Sequence, residues 1–526
     1  LEPGKPLSFL EHRIQPGNSL LGATPALLAQ GIPDEAFTPI EGDDKEICKE
    51  FKRINRDERD KQMRLFAATT APWQQLGNFA ASLMNLDTVG DDSIEAIREK
   101  ERPDEEAVRS GDYLDGRFWA DTWCAAFVWK KTREFNYPIT EEIFRRIERN
   151  PHACEPWMRG EIEHLAAQYH FFHWHLAFPD VFRLPSGTVK PESKQMEWSG
   201  GFDVVMGNPP WENVRPEEPK FFAAVRPEIA TAKSSALRKQ LIDKLEQEDP
   251  SLARAWADYK RAIFAESQLI KSGKMLPLST EGNLNTYRLF AELAYHLISV
   301  RGRAGMIVQT GMATDESGKE FFGEILARGR LIRFLDFENR VGFFPDVDSR
   351  FRFALLTLCG SGVERSTKAG EFGWLLHDLA ELSEPERLVH LVSADVELFN
   401  PFSRTCPVFH SERDFRVNRQ IYTRGEHVWV DSERRFSHIE LLGTMFDMSR
   451  DSGLFESLSP DNSRYLPLYE AKYIHQFDHR YAGYWDGDYR EVATTSKVTP
   501  GYSLLPKSWV RRAEVDRRGQ RRGMNP

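Results

Sequence analysis

Four short apolar runs constrain this chain more than any other feature: Phe202-Asp203-Val204-Val205-Met206, Ala304-Gly305-Met306-Ile307-Val308, Leu331 to Phe337, and Phe351 to Leu358. Each has the length of a strand. The first two are nearly continuous in apolar character, which predicts strands buried on both faces of a sheet. A helical period over Thr286 to Ser299 precedes the second run. Strands alternating with helices predict an α/β fold, here with large helical insertions. One insertion spans 31–158, with helical segments at Arg56 to Thr70 and Glu141 to Arg149 followed by Pro72 and Pro151 as stops. A second runs from Pro219 to Lys271, broken at Pro227 and Pro250. Residues 7–29 read as a short strand, a turn at Pro16-Gly17-Asn18, and an apolar stretch. Beyond about 396, prolines, glycines and aromatics interrupt any regular period.

Composition removes several classes. A chain of 526 residues has room for three to four domains, and 40% apolar residues fit a globular protein. No repeat period is visible, which excludes solenoids and propellers. No apolar run approaches the ~18 residues of a membrane span. The five cysteines are widely spaced with no C-x-x-C pair, so a disulfide framework and a structural zinc module are excluded and a reducing cytoplasm is expected. The net charge is −10, yet residues 461–526 hold twelve Lys and Arg against eight Asp and Glu. A basic C-terminal region on an acidic body points to a polyanionic partner, although a frayed basic tail at Arg511 to Arg522 reads equally well. The chain opens on Leu1 rather than Met and reads as a piece of something longer.

The chemistry is concentrated in Gly207-Asn208-Pro209-Pro210-Trp211, directly after the first apolar run. Each proline fixes φ and removes an N–H, so the carbonyls of Asn208 and Pro209 can face outward with no local donor. The Asn208 side chain adds a third acceptor. The natural ligand of such a cluster is a planar NH2 group, with Trp211 stacking on the ring that bears it. Accepting both amine hydrogens returns electron density to a nitrogen whose lone pair is otherwise delocalised, which favours attack on an activated methyl group. No metal is called for. The plain alternative is a Pro-rich turn that merely ends a strand.

This stretch resembles the catalytic loop of S-adenosylmethionine-dependent amino-methyltransferases, in the form typical of N6-adenine DNA methyltransferases. Around it, Phe9 to Ile14 with Gly17 to Gly22, Phe171-Phe172-His173-Trp174 with Phe178 to Phe182, Gly305 to Val308 with Ala313 to Ser317, and Asp336 to Arg340 with Phe343-Phe344-Pro345 resemble the large gamma-type adenine methylases of type IIG and BREX-like restriction-modification and phage-defence systems. Leu468 to Glu470 with Lys472, and His475 to Arg480, resemble the start of that family's target-recognition region.

The resemblance implies a Rossmann-like methyltransferase sheet, incomplete at the N-terminus, with a C-terminal recognition region. Residues 1–30 and 159–395 would form the core, 31–158 and 216–272 the helical insertions, and 396–526 a linker and the start of the recognition domain. It further implies that Asn208, Pro209, Pro210 and Trp211 grip a flipped-out adenine, that Asn18 contacts the cofactor, and that Phe344 or Phe343 forms a second aromatic wall. Double-stranded DNA is the implied partner, with a nuclease domain or other defence-system subunits beside it.

The family's glycine-rich cofactor loop is not visible between Leu1 and Gly17. Leu358-Cys359-Gly360-Ser361-Gly362 has its look, but no apolar helical stripe follows, and it reads as a turn between strands. Asp180 with Glu192-Ser193-Lys194 matches the loose spacing of a nuclease core, so a restriction nuclease component stays open as an alternative. So do a non-catalytic DNA-binding or assembly subunit, and a methylase of glutamine amides or guanine amines. Among the histidines, Glu161 and His164 could share a helix face. His170 and His173 fall off it, and packed or surface histidines are expected rather than a metal site.

Overall fold

The computed structural model describes residues 13–65, 111–135, 137–184, 190–425, 429–430, 433–434, 445–448, 450–457, 464–475, 478–485, 487–499, 502–504 and 506–521. The chain divides into two compact units, 1–426 and 427–526.

In the first unit a helical body is built from α1 (Lys45–Leu65), α2 (Gly111–Val128), α3 (Glu141–Arg149) and α4 (Pro156–Tyr169). Helix α2 is apolar on most sides, which suits a helix surrounded by others. Its Phe118, Trp119, Trp123 and Phe127 are buried, and the Trp123 indole donates to the Gly31 carbonyl at 2.9 Å. Helices α5 (Ser235–Glu248) and α6 (Pro250–Gly273) follow. Pro250, expected as a break, opens α6 at its first turn, where a missing N–H costs nothing, and Asp249 caps that turn by accepting from Leu252 N–H at 3.1 Å.

The α/β expectation holds. A six-stranded mixed sheet comprises β1 (Phe202–Gly207), β2 (Ile298–Val308), β3 (Leu331–Glu338), β4 (Arg352–Cys359), β5 (Gly370–Leu376) and β6 (Leu388–Leu391), in the order β1-β2-β4-β3-β5-β6. β1 and β2 are parallel, as are β3 and β5, while β4 runs antiparallel between β2 and β3. Side chains alternate across the pleat. Met306, Phe334, Leu356 and Phe372 pack with α7 (Thr286–Leu297) and α8 (Lys319–Ala327). Leu335, Phe337, Phe353 and Leu376 form a separate cluster.

β1 departs from expectation. It was expected to be buried on both faces, but it is the edge strand, with Val204 63% and Met206 80% exposed. An apolar run records the neighbours a strand is suited to, and no described strand pairs with the outer edge of β1. The glycine-rich sequence Gly360-Ser361-Gly362 lies between β4 and β5 with no helix after it, its amides at 360 and 362 donating to Gly302 and Val300 carbonyls. Residues 396–424, whose irregular texture groups them with the C-terminal region, place Val396, Phe399, Phe409 and Phe415 in the core that covers the sheet.

The second unit contains a three-stranded sheet of Phe455–Glu456, Trp509–Arg511 and Tyr465–Pro467, a ribbon of Ala482–Trp485 with Asp488–Glu491, and the helix Arg512–Arg521. Within the supposed basic tail, Arg518 pairs with Asp451 and Glu514 at 2.8 Å. Glu470 accepts from the Tyr489 hydroxyl at 2.7 Å.

Gly201 feeds the chain into β1 at φ +134°, and a Cβ there would lie 2.6 Å from Ser299 N and 2.7 Å from the Ile298 carbonyl carbon. Both are backbone atoms that cannot swing aside. Gly201→Ala is therefore expected to cost about 2 kcal/mol or more, read as a lower urea midpoint at unchanged slope. An unaltered midpoint would mean that β1 and β2 do not approach this closely.

Candidate functional site

β1 delivers Asn208 to the C-terminal end of the sheet. The chain beyond it is clamped by the first turn of α7. Thr286 Oγ1 lies 2.5 Å from the Pro210 carbonyl and accepts from Glu212 N–H at 3.0 Å, while its own amide donates to the Glu212 carbonyl at 3.0 Å. Two residues on, Val214 N–H donates to the Leu284 carbonyl at 3.1 Å. Pro210 is thus satisfied internally. Asn208 is exposed and Pro209 half-buried, and the Asn208 side chain and Pro209 carbonyl take no hydrogen bond from any described residue. The half-buried Trp211 directs its indole N–H at the Ile307 carbonyl, 3.4 Å away. That bond ties the ring to β2.

The loop between β3 and β4 supplies further rings. Phe351, which sequence reasoning did not single out, lies nearly parallel to Trp211, with centroids 6.0 Å apart and planes at 13°. It is 45% exposed. Phe343 and Phe344 are half-buried in the same apolar cluster as Trp211, presenting edges to Phe353 at 5.7 and 5.1 Å. The buried Asn339 holds this loop through its amide, donating to the carbonyls of Phe344 at 2.9 Å and Val347 at 2.8 Å and accepting from Phe344 N–H at 3.0 Å. Beneath it, the fully buried Asp336 receives the Thr310 hydroxyl, both the Nε and a terminal nitrogen of Arg352, and Leu375 N–H at 3.0 Å. Four donors on one carboxylate hold the ends of β2, β3, β4 and β5 together. Asp336 and Asn339 both lie in the motif quoted above, but composition alone gives no sign of their partners.

Asn18 stands elsewhere in this unit. Its amide N–H donates to the His170 carbonyl at 2.7 Å, its Oδ1 accepts from Leu20 N–H at 3.2 Å, and its Nδ2 donates to Glu266 at 3.2 Å. Burial raises the Glu266 carboxyl, and the Asn18 bond partly offsets this. Glu266 and Ser267 are neighbours on α6, and Ser267 donates to the Val214 carbonyl at 3.0 Å. Asn18 and the chain just past Trp211 therefore lean on successive residues of one helix.

Residues 17–24 run along 170–173. Ala23 N–H donates to His173 Nδ1 at 3.0 Å, which leaves Nε2–H to donate to the buried Asp121 at 3.0 Å. His173 and His175 are packed histidines, as expected, and among the described residues no cluster of three or more His, Cys, Asp or Glu could hold a metal. Of the nuclease-like residues, Asp180 is paired with Arg13 at 2.6 Å and Glu192 accepts from Gly200 N–H at 2.9 Å. These two carboxylates line a common cavity of about 420 Å³ that does not include Lys194.

With this geometry in place, comparison with known proteins is informative over one segment. Residues 99–239, which include β1 and the Asn208 loop, match the family model described as Eco57I restriction-modification methylase. Over that segment the chain is similar to restriction-modification methylases. No curated protein matches it. Among solved structures, the ATP-dependent Type ISP restriction-modification enzyme LlaBIII bound to DNA aligns at 12% identity and TM-score 0.18, over 33% of this chain and 10% of that one. A likeness of that size decides nothing about this molecule. No described helix is long and apolar enough to cross a membrane.

His175 gives this region a pH signature. Burial, then the neighbouring His173, lowers its pKa to about 3. The unfolded chain binds the proton near 6.5, so the stability tied to neutral His175 is complete above pH 6.5 and is lost as pH falls towards 3. At pH 5 the loss is on the order of 2 kcal/mol. Urea unfolding at pH 7 and pH 5 is expected to show a smaller drop for His175→Gln than for wild type. Equal drops would mean that His175 is open to protonation in the folded state.

Proposed function

We infer that this chain carries the catalytic part of a site-specific DNA adenine-N6 methyltransferase of a restriction-modification or phage-defence system, with S-adenosylmethionine as methyl donor. The observation that carries this reading is a pair of acceptors, the side chain of the exposed Asn208 and the carbonyl of the half-buried Pro209, with no donor among the described residues and next to an indole that donates to the Ile307 carbonyl. The match of residues 99–239 to a methylase family supports the general class.

In this reading the amine of a flipped-out adenine donates one hydrogen to Asn208 Oδ1 and the other to the Pro209 carbonyl, while Trp211 stacks on the purine. The two bonds draw the nitrogen lone pair out of conjugation, and they strengthen as positive charge develops on nitrogen. The clamp at Thr286 keeps the acceptors from turning inward, so no reorganisation is needed at the moment of reaction.

The described residues do not by themselves form a cradle for S-adenosylmethionine. Asn18, the one residue tied to the cofactor by resemblance, has both ends of its amide engaged within the protein. No glycine-rich turn stands beside β1 among them. What these residues do is confined to the amine side of the transfer.

Labelled methyl transfer to adenine-containing DNA is expected to fall by at least about 100-fold in Asn208→Ala. Trp211→Ala is expected to weaken base capture, seen as a reduced fluorescence rise when 2-aminopurine replaces the target adenine. Transfer retained in Asn208→Ala would remove the assignment. Transfer to guanine or to a glutamine amide instead of adenine would keep the acceptor chemistry and change the substrate.

A further inference from the structure

At the opposite end of the sheet from Asn208 lies a cavity of about 650 Å³. Part of its lining comes from the starts of strands: Gly200 before β1, Ile298 opening β2, Arg330 just before β3 and Lys368 just before β5. The six residues of β1 alone place about 20 Å between this cavity and the acceptor loop.

The lining is cationic in excess. Lys194, Arg328, Arg330 and Lys368 face two carboxylates, both already engaged. Glu192 accepts from Gly200 N–H, and Glu324 pairs with Arg328. Arg330 is half-buried, lies 4.4 Å over the Tyr295 ring, and donates its Nε to the Cys359 carbonyl. It has no carboxylate partner among the described residues. Burial accordingly pulls its pKa below the ordinary arginine value. Guanidinium groups taken out of water are normally paired, because an uncompensated buried charge is costly.

The position of these cations is built rather than incidental. Arg365 donates to the carbonyls of Gly329, Leu331 and Ala369 at 2.7–2.8 Å, fastening the loop that carries Lys368 against the strand that carries Arg330. Gly329, at φ +66°, lets the Lys368 stem close in, since a Cβ there would lie 2.9 Å from Lys368 Cγ. Lys194 and Lys368 make no ion pair with any described residue.

We propose that this cavity binds a phosphate-bearing anion, held by the Arg330 guanidinium and the ammonium groups of Lys194 and Lys368. A planar guanidinium suits two phosphate oxygens at once, and two mobile lysines close around the remaining charge. The volume admits more than a bare phosphate, so the ligand is either a small phosphate ester or a backbone phosphate of nucleic acid. The site is independent of the chemistry assigned to Asn208.

Titration calorimetry on the full chain, with inorganic pyrophosphate and separately with a short duplex of arbitrary sequence, tests the proposal. The variants are the exposed pair Lys194→Glu with Lys368→Glu, which leaves the core intact, and Arg330→Gln. Saturable pyrophosphate binding that weakens about tenfold or more in both variants is expected for a small phosphate ester. If duplex binding alone weakens by that factor, the ligand is a backbone phosphate. If neither probe binds wild type saturably, or if binding of both is unchanged in the double lysine variant, the proposal fails.

Discussion

The clamp between Thr286 and the chain at 210–212 is the interaction on which the placement of the Asn208 loop, and so the chemistry proposed for it, depends. A loop of two prolines is stiff but not self-placing, because it has no amides with which to dock. Thr286 supplies what the loop lacks, a hydroxyl for the Pro210 carbonyl and an amide for that of Glu212. Satisfying Pro210 leaves the Asn208 side chain and the Pro209 carbonyl as acceptors with no donor among the described residues. Because Thr286 opens α7, and α7 packs on the sheet through Tyr287, Ala291 and Ala294, the loop inherits the rigidity of the core.

The same end of the sheet is held from beneath by Asp336, which gathers the ends of β2, β3, β4 and β5 onto one buried carboxylate. A carboxylate with four donors is costly to strip of any one of them. It sits next to the residues that carry Phe351 and the Asn339-held turn. The aromatic wall facing Trp211 is thus set by a polar network, while the opposite end of the sheet gathers cations around a cavity.

Much of this was legible in the sequence, for identifiable reasons. The strands at 202–206, 331–337 and 351–358 appear within a residue of their expected bounds, because short β-rich runs between polar turns have few alternatives. The turn at Gly360 was read correctly from the missing helical stripe after it. What sequence could not supply was neighbourhood. The run at 202–206 reads as an interior strand, yet it is an edge with Val204 and Met206 bare. The break expected at Pro250 is present, since one helix ends at Glu248, and what the sequence alone did not add is that Pro250 also opens the next helix under the Asp249 cap. Phe351 was passed over because an aromatic at the start of a strand is indistinguishable in sequence from core. Its face-parallel relation to Trp211 exists only in three dimensions.

The central claim is that Asn208 and Pro209 hold an exocyclic amine, and a double-mutant cycle on binding tests it most directly. Affinities would be measured for wild type and Asn208→Ala, each with a duplex bearing adenine and a duplex bearing purine, which lacks the amine, at the target position. Any change in base-pair strength is common to both proteins and cancels in the cycle. The account predicts that loss of the amine weakens binding more in wild type than in the variant, with a coupling of about 1 kcal/mol or more. Equal effects in the two proteins would mean that Asn208 does not touch the amine.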